Sequence, residues 1–287
     1  MGFSSYDDLI TEISDGKSWF QPFQKTSLLV GVAGAWYNTW QWTGNPPAGA
    51  YAGSALDATQ TLDTTAGALY HGGNVSTDTK HLIAFGTETA AATAVPGAIM
   101  VVDKLLHYPT INANSNSLQT MTQGAALPRY TDGKGVMMVM DVTTALGATA
   151  STLTVHYSNT LDQDHTLGST VNMTVSSAIA RVGYSGLLTG NFNPFLPLAA
   201  GDLGVKTVIS VTFGTAMLGG VVSMCLVKPL CYLPLPAVNV MSERDFVFQI
   251  ADLPRIYDGA CLSFIVFEPG ALVATTPFQG YVQFGWG

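Results

Sequence analysis

From residue 72 onward, apolar residues come in short runs of Val, Ile, Leu, Met and Phe broken by Gly, Pro, Asn and Asp, which predicts strands and turns. The runs are of two kinds. Leu153-Thr154-Val155-His156-Tyr157 and Val282-Gln283-Phe284-Gly285-Trp286 alternate with period two, so one face of each strand packs on a core. Val136-Met137-Met138-Val139-Met140 and Leu262-Ser263-Phe264-Ile265-Val266-Phe267 are nearly unbroken, which predicts strands covered on both faces. One segment, Ser5 to Asp15, reads convincingly as a helix: Ser5 caps it, Asp8 follows three residues on, Leu9, Ile10 and Ile13 form an apolar stripe, and Gly16 stops it. So short a helix is marginal alone and needs a surface to pack on.

A second pattern lies above the strands. Leu127-Pro128-Arg129-Tyr130-Thr131-Asp132-Gly133 returns as Leu253-Pro254-Arg255-Ile256-Tyr257-Asp258-Gly259. Ala84-Phe85-Gly86-Thr87 answers Thr212-Phe213-Gly214-Thr215, and the run from Lys104 to Pro109 answers that from Pro229 to Pro234. Val155-His156-Tyr157 answers Val282-Gln283-Phe284. The offset stays between 125 and 128 residues, the drift that short loop insertions produce. Solenoid repeats are shorter, about 20–50 residues. The expected fold is therefore mainly β: two related β-sandwich or jelly-roll-like modules, matching over about 72–160 and 200–287. The domains are read as 1–71, a helix and aromatic-rich arm, then 72–190 and 191–287. Gly86 to Gly97 reads as a loop, and Asn191 to Pro197 as the joint between modules.

In the arm, Trp36, Tyr37, Trp40 and Trp42 crowd together before Gly44-Asn45-Pro46-Pro47-Ala48-Gly49. Trp36 and Trp40 would share a helix face, whereas Trp40 and Trp42 would share a strand face. These rings either fill a local core or anchor a subunit contact, where aromatic residues are enriched. Leu9 and Ile13 of the helix are candidate contact positions too. Arg129 and Arg255 also carry two readings: pairing with carboxylates across a subunit contact, or forming the repeated corner of a duplicated scaffold, where Pro fixes φ and Asp-Gly turns the chain.

Composition sharpens this picture. The chain has 287 residues, of which 47% are hydrophobic and only 10% charged, against about 25% charged in a typical soluble domain. Mean hydropathy is +0.29, yet no stretch approaches the roughly 18 apolar residues of a membrane-spanning helix. Such a chain is expected to bury surface against other chains as well as in its own core. The net charge is −8 and the eleven Lys and Arg are scattered, which argues against direct binding of nucleic acid. Cys225, Cys231 and Cys261 are expected to be small buried hydrophobes. The first residues show no signal peptide, so synthesis and assembly in a cytoplasm are expected.

Catalytic patterns are weak. The five histidines lack metal-ligand spacing, Gly183-Tyr184-Ser185-Gly186 is one residue short of a nucleophile elbow, and Gly133-Lys134-Gly135 is not a phosphate loop. Asp162-Gln163-Asp164-His165 reads as a solvated turn, with ion binding as the alternative. No catalytic, cofactor-binding or metal-binding residue is assigned, and no cofactor is expected. An enzyme reading, a hydrolase or glycosidase whose activity is lost on substituting Asp78 or Asp162, ranks third among the functions considered.

Trp36-Tyr37 with the Gly44–Gly49 motif, Leu127-Pro128-Arg129-Tyr130, the run Pro197 to Val205, and Leu253 to Gly259 together resemble a family of tailed-bacteriophage virion structural proteins. The likeness spans nearly the whole chain and rests on structural residues. It implies a capsid decoration (cement) protein on the exterior of the virion. The implied partners are the major capsid protein and copies of itself, as a trimer or other homo-oligomer, with no nucleic acid and no membrane. The alternatives are a neck, tail or baseplate component, or a receptor- or glycan-binding module that uses Trp40 and Trp42 as a stacking platform.

Overall fold

The structure, a computed structural model, describes residues 2–50, 56–90, 97–122, 125–185, 192–249, 253–270 and 273–287. It is mainly β with one short helix. The helix α1 spans Tyr6–Ser14; Ser5 caps it, its Oγ accepting from the Asp8 N–H at 3.1 Å, and Gly16 leaves it with φ of +86°. The strands are β1 (Ser18–Thr26), β2 (Ala35–Asn38), β3 (Thr43–Asn45), β4 (Thr59–Gln60), β5 (Lys80–Thr89) and β6 (Gly97–Asn112). There follow β7 (Gln119–Thr120), β8 (Met137–Thr144), β9 (Thr152–Asn159), β10 (Asp164–Thr166), β11 (Val171–Asn172) and β12 (Val205–Phe213). The last are β13 (Val221–Leu235), β14 (Ser242–Asp245), β15 (Arg255–Ile256), β16 (Cys261–Glu268) and β17 (Pro277–Trp286).

These strands form three sheets. The central one runs β2-β16-β6-β13-β8, with β4 on β6; a second runs β14-β5-β17-β1-β3, with β15 on β5; the third runs β10-β9-β12-β7, with β11 on β9. One hydrophobic core gathers Phe23, Phe85, Phe264, Val282 and Phe284 from the second and central sheets. The other gathers Met138, Met140, Val155, Tyr157, Val208 and Met224 from the third and central sheets. The unbroken runs of β8 and β16 are buried nearly throughout, and β9 alternates buried and exposed as its period predicts. The segment Ala180 to Gly183 lies between the edge strands β2 and β8. Val182 N–H donates to Trp36 O and Gly183 N–H to Met140 O, each at 2.9 Å, so the central sheet closes on itself.

The sequence repeat maps onto these sheets in an exchanged way. By offset, β5, β6, β7, β8 and β9 correspond to β12, β13, β14, β16 and β17. The longest ladder joins β6 to its own counterpart β13, with Val102 opposite Pro229 and Asp103 opposite Lys228. Lys228 and Pro229 stand 126 residues beyond Val102 and Asp103, so a pseudo-twofold axis passes between these two pairs. About it, β16 on β6 mirrors β8 on β13, β17 on β5 mirrors β9 on β12, and β14 on β5 mirrors β7 on β12. Each of these pairings joins one repeat to the other. Neither 72–190 nor 191–287 builds a sheet from its own principal strands.

The arm is part of this body. β1 extends the second sheet along β17, and β2 extends the central sheet along β16. The tryptophan segment is neither one helix nor one strand: Ala35–Asn38 is extended, Thr39–Gln41 makes one 3₁₀ turn, and Thr43–Asn45 is extended again. The Gly44–Gly49 motif has a steric reason. A Cβ on Gly44 would lie 1.9 Å from the Gln24 carbonyl oxygen, and one on Gly49 would lie 2.3 Å from the Trp40 indole. The Lys25 ammonium, buried beneath the motif, donates to Trp42 O and Pro46 O at 2.9 Å.

Two loop expectations change. Gly86 to Thr89 belongs to β5, and 91–96 lie outside the described residues. In the Asn191–Pro197 stretch, Asn191 is likewise outside, but Leu196 is buried and its N–H donates to Met138 O at 3.0 Å, so this part packs on β8. Because the sheets interlock the repeats, thermal unfolding is expected as one cooperative transition, with calorimetric and van't Hoff enthalpies in agreement. Two resolved transitions in a scanning calorimeter would refute the interlock.

Candidate interaction surfaces

The residues singled out by sequence fall mostly inside. Trp36, Trp40 and Trp42 are all buried, Trp40 completely. Trp36 Nε1 donates to Phe192 O at 2.6 Å, the Lys104 ammonium sits 3.6 Å from the Trp40 ring centroid, and Trp42 packs against Phe278 and Tyr37. These rings are core, so they present no stacking platform to solvent. Leu9 is buried and Ile13 half-buried, whereas Ile10 between them is 46% exposed. The helix thus turns Leu9 inward and leaves Tyr6 and Ile10 outward, with Tyr6 against the exposed Phe248 at 5.2 Å.

The two repeated arginines differ. Arg129 is buried and forks onto Asp103, Nε to Oδ2 at 2.8 Å and Nη2 to Oδ1 at 2.7 Å. Nη2 also donates to Lys104 O and Thr61 O, and Asp103 Oδ1 accepts from the Cys261 N–H. Burial pushes the Asp103 carboxyl upward while Arg129 and that N–H pull it back. Arg255 is exposed and lies 4.4 Å over the Tyr257 ring. The cause is readable by offset, because Pro229 stands where the first repeat has Asp103. Tyr130 and Tyr257 meet edge to face at 5.0 Å, so the two loops touch each other.

Two polar clusters lie elsewhere. The nearly buried Asp202 accepts from Tyr157 Oη at 2.6 Å, Asn159 Nδ2 at 2.8 Å and His165 Nδ1 at 2.8 Å, holding the 160–168 turn to the loop before β12. These bonds keep its carboxyl low against the upward push of burial. His165 of the candidate ion loop is therefore tied to Asp202, while Asp162 pairs with Lys206 at 2.7 Å. Among the described residues no group of three or more His, Cys, Asp or Glu is arranged to hold a metal ion, and no helix is long and apolar enough to cross a membrane. The three cysteines are free and buried, and burial pushes each thiol up to about 12. At the end of β16, Glu268 is 1% exposed, its Oε2 has no hydrogen-bond partner, and burial pushes its carboxyl up to about 8.

The surface that sequence reading missed lies on the outer face of the second sheet. Pro22, Tyr281, Gly86 and Glu243 are cross-strand neighbours on β1, β17, β5 and β14. Gly86 makes room for its neighbour: a Cβ there would fall 2.6 Å from the Tyr281 ring. Tyr281 reaches across to hydrogen-bond Glu243, Phe20 stacks on it at 4.8 Å, and Met241 borders it. Phe20 is 56% exposed, and Val240 and Met241 are about as open. The period-two signal for this strip was weak because Pro22 and the glycines interrupt the strands that carry it.

No family model matches the chain, and no curated protein is similar to it in sequence. Among solved structures it is weakly similar to the infectious bursal disease virus VP2 subviral particle, with TM-score 0.20 and 8% identity over 93% of this chain and 80% of that one. It is similar in the same degree to T=1 particles derived from infectious bursal virus, with TM-score 0.22 and 7% identity over 93% and 77%. Both are proteins of viral particles; at these TM-scores the likeness carries no argument about this chain.

Two outcomes follow from the buried charges. Arg129→Ala strands Asp103 and is expected to cost about 3–5 kcal/mol, whereas Arg255→Ala is expected to stay within about 0.5 kcal/mol. Equal shifts in urea denaturation would contradict the asymmetry. Glu268 binds its proton more tightly when folded, so its contribution to stability should fall as pH rises from about 4.5 to about 8, whereas buried His71, pushed down to about 4, adds stability as pH rises to about 6.5. Between about pH 6.5 and 8, above the His71 window, the fall in denaturation midpoint should flatten in Glu268→Gln; an unchanged slope would show that Glu268 is not the source.

Proposed function

We propose that this chain is a structural component of a bacteriophage particle, a decoration protein that binds the outer surface of the shell and stabilises it through subunit contacts. The observation that carries the reading is the solvent-facing strip of Phe20, Tyr281 and Met241 along the second sheet. A sheet whose side chains are fixed by cross-strand neighbours presents such a strip with little ordering entropy left to lose, which suits a permanent contact. The low charged fraction fits the same role, and so does the resemblance of the motifs to virion structural proteins of tailed phages. The proposed partners are the major capsid protein and further copies of the chain. The proposed site of action is the capsid exterior, after assembly in the host cytoplasm.

The test is binding to purified shells. The double variant Phe20→Asp, Met241→Asp alters two exposed side chains, so its unfolding midpoint should stay close to that of the parent. Its co-sedimentation with shells should weaken at least about tenfold, the loss expected when an apolar contact centre is charged. Undiminished binding would remove the strip from the contact. A copy number of a dozen or fewer per particle in electron micrographs would instead place the chain in the neck or tail.

A further inference from the structure

The two Leu-Pro-Arg loops leave a cleft of about 310 Å³ between them, lined by Leu62, Lys80, Arg129, Arg255, Asp258 and Gly259 among others. We propose that this cleft is a binding site for a carboxylate group. The first ground is an unspent donor. Arg129 is 95% buried and uses Nε and Nη2 on Asp103 and two carbonyls, but its Nη1 is buried with no hydrogen-bond partner. A buried guanidinium nitrogen without an acceptor is unusual and costly, because desolvation is not repaid. Nη1 lies beside Gly259 of the second loop, where an added Cβ would lie 3.8 Å from it.

The second ground is charge. Among the other ionic groups, Lys80 pairs with Asp258 at 3.6 Å and Arg129 with Asp103, while Asp78 shares Lys17 with Glu12. Arg255 forms no ion pair among the described residues, although it lines the same cleft and its ring partner Tyr257 holds it. The cleft therefore offers one guanidinium without an ion pair and one orphan N–H. That matches a planar monoanion, which two guanidinium groups can share. A phosphate dianion would meet Asp78 and Asp258 in the wall. The divergence of the repeats supplies the charge, since Pro229 in place of an aspartate is what leaves Arg255 free.

The same chemistry serves a small free carboxylic acid or an Asp or Glu side chain of a second copy, in a protein with 19 acidic against 11 basic residues. The full chain, labelled with ¹⁵N-arginine, is titrated with sodium acetate at constant ionic strength, with chloride and phosphate as controls. Saturable shifts of the Arg129 and Arg255 guanidinium signals with acetate are expected. They should be at least about tenfold weaker in affinity in Arg255→Gln, the loss of one charge-assisted contact. Phosphate should compete poorly. Sedimentation at saturating acetate then separates the sources: loss of self-association, reproduced by Arg255→Gln, assigns the carboxylate to a second copy, and unchanged association assigns a free acid. Acetate shifts no larger than those of chloride, or full acetate affinity in the folded Arg255→Gln, would overturn the site.

Discussion

Everything in this molecule is arranged around the antiparallel ladder between β6 and β13. An antiparallel pair formed by two equivalent strands places a twofold axis between them, and that axis then governs where every other strand of either repeat can go. β16 must come to the free side of β6 and β8 to the free side of β13. The outer sheets follow by the same exchange. Asp103, one residue from the axis, is buried and holds three things at once: the Arg129 loop, the Cys261 N–H at the start of β16, and through Arg129 the carbonyl of Thr61. A charge in such a place is tolerated only because each of its oxygens has a partner.

The two repeats share the Leu-Pro-Arg motif but differ beside the axis, where the first has Asp103 and the second Pro229. With Asp103 the first Leu-Pro-Arg loop is pulled into the interior; with Pro229 the second keeps its turn and its tyrosine but turns its arginine to solvent. The same seven-residue motif is thus a buried clamp in one copy and a surface feature in the other. Neither Arg129 nor Tyr130 could be assigned that role from the motif alone, since the deciding residue lies more than twenty positions away.

Much of the fold was legible because it is local. Period-two alternation at Leu153 to Tyr157 marked one strand and its buried face, and the unbroken run at Leu262 to Phe267 marked another covered on both sides. The cap of α1 was legible for the same reason. What alternation cannot say is which strand lies alongside, because backbone hydrogen bonds carry no residue identity. The offset revealed that β6 and β13 are equivalent, yet not that they pair. The tryptophans misled for a related reason: Trp40 is held by the bend at Thr39–Gln41 and by Gly49, contacts that neither a helical nor an extended template contains. The exposed strip at Phe20 was hidden because its members come from β1, β17 and the residue just before β14, far apart in the chain.

The exchange of strands about the axis also bears on how the fold depends on concentration. A polypeptide of one repeat could satisfy these ladders only by finding a second copy, so its folded population would rise and fall with its own abundance. Joining both copies in one chain makes that encounter intramolecular, at an effective concentration fixed by the connecting segment. The folded state of each molecule is thereby independent of how many others are present, and the contacts it makes with its neighbours are free to be judged on their own strength.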